Sequence, residues 1–273
     1  MTFKFDANQL YRMPVHFGPT PGPRQGPDGL PFDWTRQPDR TLHTWSFLTD
    51  AESVSSLLPE GFSLHGEPVV TVELQLWRNL AWLAGRGYNT LGVKVPVRYR
   101  GTKDDVVGQF LLVIWENMPD AIISGREELG YNKIFATIDD PRCHDEEYFT
   151  SASWFGHRFV DMSQRGLREI EPQELPRAPG SGVLNFKYIP GTGADADPDA
   201  SYVTLTPIGG NLKITKVSVG QGDIRFLPTD WQSMPTQFHI VSALGALPQL
   251  EARASYCVHS YGARDLSDQV RLF

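Results

Sequence analysis

Cysteine is almost missing from this 273-residue chain, which carries only Cys143 and Cys257. Two thiols so far apart build neither a disulfide framework nor a CxxC metal knuckle. They suit a reducing cytoplasm, where each acts as a small apolar side chain. Long apolar runs are missing too. No stretch of about 18 uncharged apolar residues occurs, so no transmembrane helix is expected. Residues 1–18 lack the apolar core and small-residue cleavage site of a secretory signal. An excess of positive charge is also absent: 25 Lys and Arg stand against 32 Asp and Glu, a formal charge of −7. A nucleic-acid partner is therefore not expected, because affinity for the phosphate backbone rests on a basic surface. The seven histidines show no HxH, HxxxH or HExxH spacing. No P-loop, G-x-S-x-G elbow or strand-linked GxGxxG occurs either, so neither a metal nor a cofactor is expected.

What is present is glycine and proline, 25 and 21 of them, beside 40% hydrophobic and 11% aromatic residues. Helix breakers at that density disfavour a helical bundle, while the apolar content suffices for a substantial core. Residues 13–32 hold six Pro and four Gly and can be neither helix nor central strand. Val15, Phe17, Leu30, Phe32 and Trp34 favour a strap docked on the body over a free arm. Beyond it a period of two dominates, with strands expected at 41–49, 68–78, 90–99, 106–115, 133–138, 147–160, 182–189, 201–206, 211–218 and 252–260. Helices are expected after Asp50, a plausible N-cap, and over 235–247, opened by Pro235 and stopped by Pro248. Gly209-Gly210 and Gly220-Gln221-Gly222 read as turns. The expected architecture is one domain over 1–273, with 1–35 as a Pro/Gly-rich N-terminal arm. It is mainly β (α+β): an antiparallel β-barrel with a few peripheral helices.

The informative segment is 121–138, AIISGREELGYNKIFATI. From the residues alone it is a strand end, a charged turn and a new strand opened by Lys133. A lysine there is ordinarily a solvated charge. The segment nevertheless resembles the core motif of the acetoacetate decarboxylase superfamily, in which G-R-E, a spacer, Y-P-K-K and an apolar residue follow one another. Here Gly125-Arg126-Glu127 and Tyr131-Asn132-Lys133-Ile134 occupy those places. GEPVVTVELQL looks like the family's run to an active-site glutamate, which falls at Glu73. Arg40 stands before Asp50 as the family's carboxylate-binding arginine stands before its Thr-Asp helix start. NFKYIP, KITKVSVG and FHIVSAL follow in the family's order.

The resemblance implies a Schiff-base lyase acting on a small keto acid, by default a β-keto acid decarboxylase, assembled as a homo-oligomer. Lys133 would form the imine, Arg40 would pair with the substrate carboxylate, Glu73 would move protons and Tyr131 would offer a hydroxyl. Lowering a lysine from about 10.4 to about 7 destabilises its ammonium by roughly 4–5 kcal/mol. Acetoacetate decarboxylase is itself the standard example of such an activated lysine. Here Ile134 replaces the family's second lysine, so burial against apolar groups would have to suffice. Asn132 replaces a proline, and the family's second glutamate falls at Thr90. These departures open two alternatives: a pyruvate aldolase-dehydratase or hydratase of an unsaturated 2-keto acid using the same lysine, or a silent barrel binding a hydrophobic carboxylate. The residues alone read Arg40 as a surface cation, Glu73 as solvated unless its face lines a cavity, and Tyr131 as a packed aromatic.

Overall fold

The structure is a computed structural model describing residues 4–273, so residues 1–3 of the expected arm lie outside the described residues. Its first half contains β1 (Asp39–Leu48), α1 (Ala51–Ser55), β2 (Phe62–Leu64), β3 (Val69–Leu80), β4 (Arg86–Arg100), β5 (Asp105–Glu116), α2 (Pro119–Ser124), β6 (Lys133–Phe135) and β7 (Thr137–Ile138). The second half contains β8 (Arg142–His144), β9 (Glu147–Trp154), β10 (His157–Ile170), β11 (Gly182–Ile189), β12 (Ala200–Pro207), β13 (Lys213–Phe226), α3 (Phe238–Gly245), β14 (Glu251–Ala252), β15 (Ser255–Tyr261) and β16 (Val270–Arg271). The protein is mainly β, as its alternating sequence predicts. Asp50 caps α1 by accepting a hydrogen bond from the Ser53 amide at 2.7 Å.

One sheet runs β16-β12-β11-β5-β4-β3-β1-β15-β13-β10-β9-β7. It is not the closed antiparallel barrel the sequence suggests. The expected strand 133–138 is broken at Ala136: Lys133–Phe135 pairs β5 in parallel, and Thr137–Ile138 pairs β9 antiparallel. No single strand therefore joins the two edges. A second parallel ladder, Val183 and Leu184 opposite Gln109 and Phe110, brings β11 to the same edge of β5.

Strands β3, β4 and β5 are covered on both faces. Val70, Val72 and Leu74, then Leu91, Val93 and Val95, then Val113 and Trp115 point into the hydrophobic core. Phe159, Met162, Ile224, Met234, Val241 and Leu244 meet them there from β10, β13, α3 and the turn before it. Trp115 and Phe159 are fully buried, with ring centroids 5.1 Å apart, and each contributes on the order of 2–3 kcal/mol by burial. A register shift opposite Val93 and Lys94 re-phases β5, so Phe110 stays in the core while Leu111, Ile114 and Glu116 take the other face.

Four local expectations change. The segment 147–160 is a hairpin, not one strand, turning at Phe155 and Gly156 with φ of 46° and 90°. An aromatic residue in a left-handed turn hides the signal that Asn-Gly would give. Gly220 and Gly222 lie inside β13 rather than in a turn. A Cβ on Gly222 would stand 2.6 Å from the Trp45 ring, so this glycine serves close packing. Helix α3 begins at Phe238 with Gln237 as its N-cap, and Pro235 sits in the preceding turn. The strand end and charged turn expected at the start of 121–138 are instead helix α2 continued by a π-helical turn over Gly125–Leu129. Pro119 at its first turn and Asp120 beside it are ordinary helix-start residues.

The strap docks on the body, but polar groups hold it. Phe17 and Leu30 are exposed. Gln25 is buried, accepting from the Leu10 amide at 3.0 Å and donating to the Leu10 and Thr20 carbonyls at 2.8 and 3.0 Å. Arg12 pairs with Glu128 and, at 3.8 Å, with Glu127, while Arg24 reaches Glu128 at 3.7 Å. Of the two thiols, Cys143 is exposed and Cys257 buried, its pKa pushed up to about 11 by desolvation. Among the described residues no helix is long and apolar enough to cross a membrane.

Replacing Gln25 with Ala removes three hydrogen bonds of the strap, and tryptic cleavage after Arg12 and Arg24 should accelerate without loss of the global fold. In the core, Gln164 meets His43 Nδ1 at 2.6 Å and donates to Ser255 Oγ at 2.7 Å and the Tyr256 carbonyl at 3.0 Å. Gln164→Leu strands these partners and should lower the urea-unfolding free energy by about 3 kcal/mol. Desolvation holds the pKa of His43 below the ordinary histidine range, against the opposing bond from Gln164. As pH falls below about 6.5 the unfolded chain therefore takes up this proton first, and stability is lost toward the lower folded-state value. His43→Gln should flatten part of that loss, measured as Tm against pH.

Candidate active site

The face of β3 to β5 turned away from the core is the floor of a cavity of about 350 Å³. Along β3 it presents Glu73, Gln75 and Trp77, along β4 Tyr88, Thr90, Gly92 and Lys94, and along β5 Leu111, Ile114 and Glu116. Arg40 of β1 and Lys133 of β6 stand at opposite sides of that floor. The cavity is closed over by Pro23, Arg24 and Trp34 of the strap, by Ala121 to Leu129, and by the loops at Gly209 and Gly262–Leu266. All five residues singled out from sequence, Lys133, Glu73, Arg40, Tyr131 and Thr90, line this one cavity.

Lys133 is 9% exposed, and its Nζ lies 2.8 Å from Glu116 Oε1 and donates to the Ala121 carbonyl at 3.0 Å. Its surroundings are thus not the purely apolar ones expected. Glu116 is 1% exposed, and its second oxygen, Oε2, is buried without a hydrogen-bond partner among the described residues. Burial pushes the Glu116 carboxyl above its ordinary pKa, and the Lys133 ammonium opposes that rise. Gly125 makes room for the lysine: a Cβ there would collide with Lys133 Cδ and Cε and stand 2.7 Å from Nζ. Its backbone is right-handed helical, with φ −68°, so this glycine is demanded by space rather than by a turn. Arg126 donates to the Lys133 carbonyl at 2.8 Å and ties the π-helical turn to β6.

Arg40 is held by Ser260 Oγ at 3.2 Å and Gln75 Oε1 at 3.4 Å, with its guanidinium 5.6 Å from the Trp77 ring centroid. Desolvation lowers its pKa, and the Glu73 charge opposes the fall. Glu73 does not touch Lys133. Its Oε2 pairs with Lys94 at 2.6 Å and accepts from Gln75 at 3.2 Å. Tyr131 turns its ring toward the amine, 5.6 Å from Nζ, while its hydroxyl meets Thr206 Oγ1 at 2.8 Å rather than lying free beside the amine. Burial raises its pKa, and that of Tyr88 is raised further by burial and the nearby Glu116 charge. Thr90 is buried with its hydroxyl unpartnered among the described residues, directly across the ladder from Glu116.

Sequence reasoning missed Glu116 and Lys94. A carboxylate closing the apolar run VVGQFLLVIWE was the available signal for Glu116. For Lys94, the signal was its place in phase with Thr90 on β4. Among the described residues no three His, Cys, Asp or Glu side chains cluster as metal ligands would.

The family model for acetoacetate decarboxylase matches residues 12–253. An acetoacetate decarboxylase of Clostridium botulinum is 32% identical over 99 residues, spanning 34% of this chain and only 38% of that relative. Decarboxylase DEC1 of Cochliobolus heterostrophus is 26% identical over 222 residues, 78% of this chain and 82% of its own length. The crystal structure of acetoacetate decarboxylase from Legionella pneumophila superposes with a TM-score of 0.64 at 19% identity, covering 84% of this chain and 85% of that one. The enduracididine biosynthesis enzyme MppR complexed with pyruvate superposes with a TM-score of 0.59 at 16% identity, covering 89% and 95%. A match over that span, on the same fold, shows that the chain belongs to the acetoacetate decarboxylase family.

Proposed function

We propose that the protein is a Schiff-base-forming lyase acting on a keto acid, with Lys133 as the nucleophile. The observation that carries this reading is the buried amine on the wall of a cavity that also presents the Arg40 guanidinium. An amine lone pair attacks the ketone, and the protonated imine then serves as an electron sink. In the default reaction a β-keto acid loses carbon dioxide to give an enamine, which is protonated. Arg40 pairs with a carboxylate and fixes its orientation, a task for which its bidentate fork is suited. Trp34, Trp77 and Trp82 provide an apolar wall for the rest of the substrate.

A second reading keeps the imine and makes the reaction an aldol condensation with dehydration, or hydration of an unsaturated 2-keto acid. Thr90 favours it, since a neutral hydroxyl stands where the family resemblance calls for a carboxylate. The pyruvate held by the similarly folded MppR favours it as well. In both readings the protein works without a cofactor, as a homo-oligomer in the cytoplasm.

Borohydride reduction in the presence of acetoacetate, and separately of pyruvate, should add the reduced keto acid to the peptide containing Lys133, as read by mass spectrometry. Lys133→Arg should abolish the adduct, because a guanidinium stays protonated. Carbon dioxide release from acetoacetate selects the first reading, and a pyruvate adduct without such release selects the second. No adduct with any keto acid sinks both. Gly125→Ala, which displaces the lysine, should slow labelling by about 100-fold.

A further inference from the structure

Two carboxylates lie on the cavity floor, and only one of them touches the amine. Glu73 is committed to Lys94 and Gln75. Glu116 places Oε1 2.8 Å from Lys133 Nζ and leaves Oε2 buried and unpartnered among the described residues. A structural counter-ion buried this deeply would ordinarily have its remaining lone pairs satisfied. Glu116 also lines the cavity, and Thr90, its neighbour across the β4–β5 ladder, adds a second unpartnered polar atom beside it. An unpartnered oxygen on the carboxylate that holds the amine, with an unpartnered hydroxyl across the ladder from it, forms a place for a substrate oxygen and its proton.

We propose that Glu116 is the catalytic proton-transfer residue of this site, taking a proton from Lys133 and returning it to the departing oxygen. This rests on the reading of Lys133 as the nucleophile. The Lys133 ammonium passes one proton to the Glu116 carboxylate, which frees the nitrogen lone pair. That pair bonds the ketone carbon, and the carbonyl π pair moves to oxygen. A second proton moves from nitrogen to that oxygen, leaving a neutral carbinolamine. Glu116, now a carboxylic acid, protonates the hydroxyl. Water leaves with the C–O pair while the nitrogen lone pair closes the protonated imine. Ammonium and ketone have become iminium and water, and Glu116 is again a carboxylate. The Thr90 hydroxyl is placed to hold the carbinolamine oxygen during this exchange. A transferred proton needs a low-energy home on its acceptor, and the burial that raises the Glu116 carboxyl above its ordinary pKa suits that task.

Glu116→Gln keeps the shape and removes the proton acceptor. With a keto acid that labels the wild type, the rate of borohydride trapping in Glu116→Gln should fall about 100-fold, and no change of pH should restore it. Were Glu116 only a counter-ion, the variant would release the amine, and trapping would persist or accelerate with its profile moved to lower pH. That outcome overturns the proposal. Thr90→Glu combined with Glu116→Gln returns a carboxylate from the neighbouring strand and should recover part of the rate; no recovery from the folded double variant counts against it. Glu116→Asp keeps the buried charge and draws it back by one methylene. It should trap more slowly than the wild type and faster than Glu116→Gln, and equal rates in all three overturn the proposal even if the Gln variant is unstable. Failure of the wild type to label with any keto acid would instead remove the reading of Lys133 on which the proposal stands.

Discussion

A strand whose two faces are both covered must divide its side chains between two environments. In β3, Val72 and Leu74 enter the core while Glu73 and Gln75 enter the cavity, and β4 repeats the division with Val93 and Leu91 against Lys94 and Thr90. The period of two makes this division strict, because a slip of one residue would exchange all the members of both sets. Burying Glu73, Lys94 or Arg40 in the core without partners would cost several kcal/mol each, and exposing the valines and leucines would forfeit the burial that holds the sheet together. The cavity therefore exists on the far side of the core from α3, on a floor the core itself makes rigid.

That floor needs a roof, and the roof is where the less regular parts of the chain are used. The strap crosses the cavity at Pro23, Arg24 and Trp34, folded on itself by Gln25 and anchored by arginine pairs to Glu127 and Glu128. Those two glutamates belong to the same π-helical turn that Gly125 opens against Lys133. Strap, turn and lysine are thus mechanically connected. The proline-rich composition, which by itself argues only against a helical bundle, supplies a segment that has no need of sheet pairing and can lie across a site.

Glycine shows most directly how a correct residue can be assigned the wrong reason. Gly125 and Gly222 both stand in regular structure, one helical and one in a strand, and both are held there by a neighbouring side chain, Lys133 in one case and Trp45 in the other. The opposite error occurs at Phe155, where a left-handed turn is built from an aromatic residue. Local propensity describes what a residue prefers, and neither case was decided by preference.

Much of this protein was legible without coordinates. Alternation located the long strands and separated Glu73 from its neighbours Val72 and Leu74. The order of short motifs named Lys133, Arg40, Tyr131 and Thr90, which do line one cavity. Those readings succeed because periodicity and motif order are properties of the chain taken along its length. The break at Ala136 that leaves the sheet open, the helix over 119–129, the pairing of Glu73 with Lys94 and the contact of Glu116 with Lys133 were decided only in three dimensions. Each depends on what a segment meets from elsewhere in the chain. For Glu116 the consequence is greatest: along the sequence it is one acid at the end of an apolar run, and only the parallel pairing of β5 with β6 sets it against the amine.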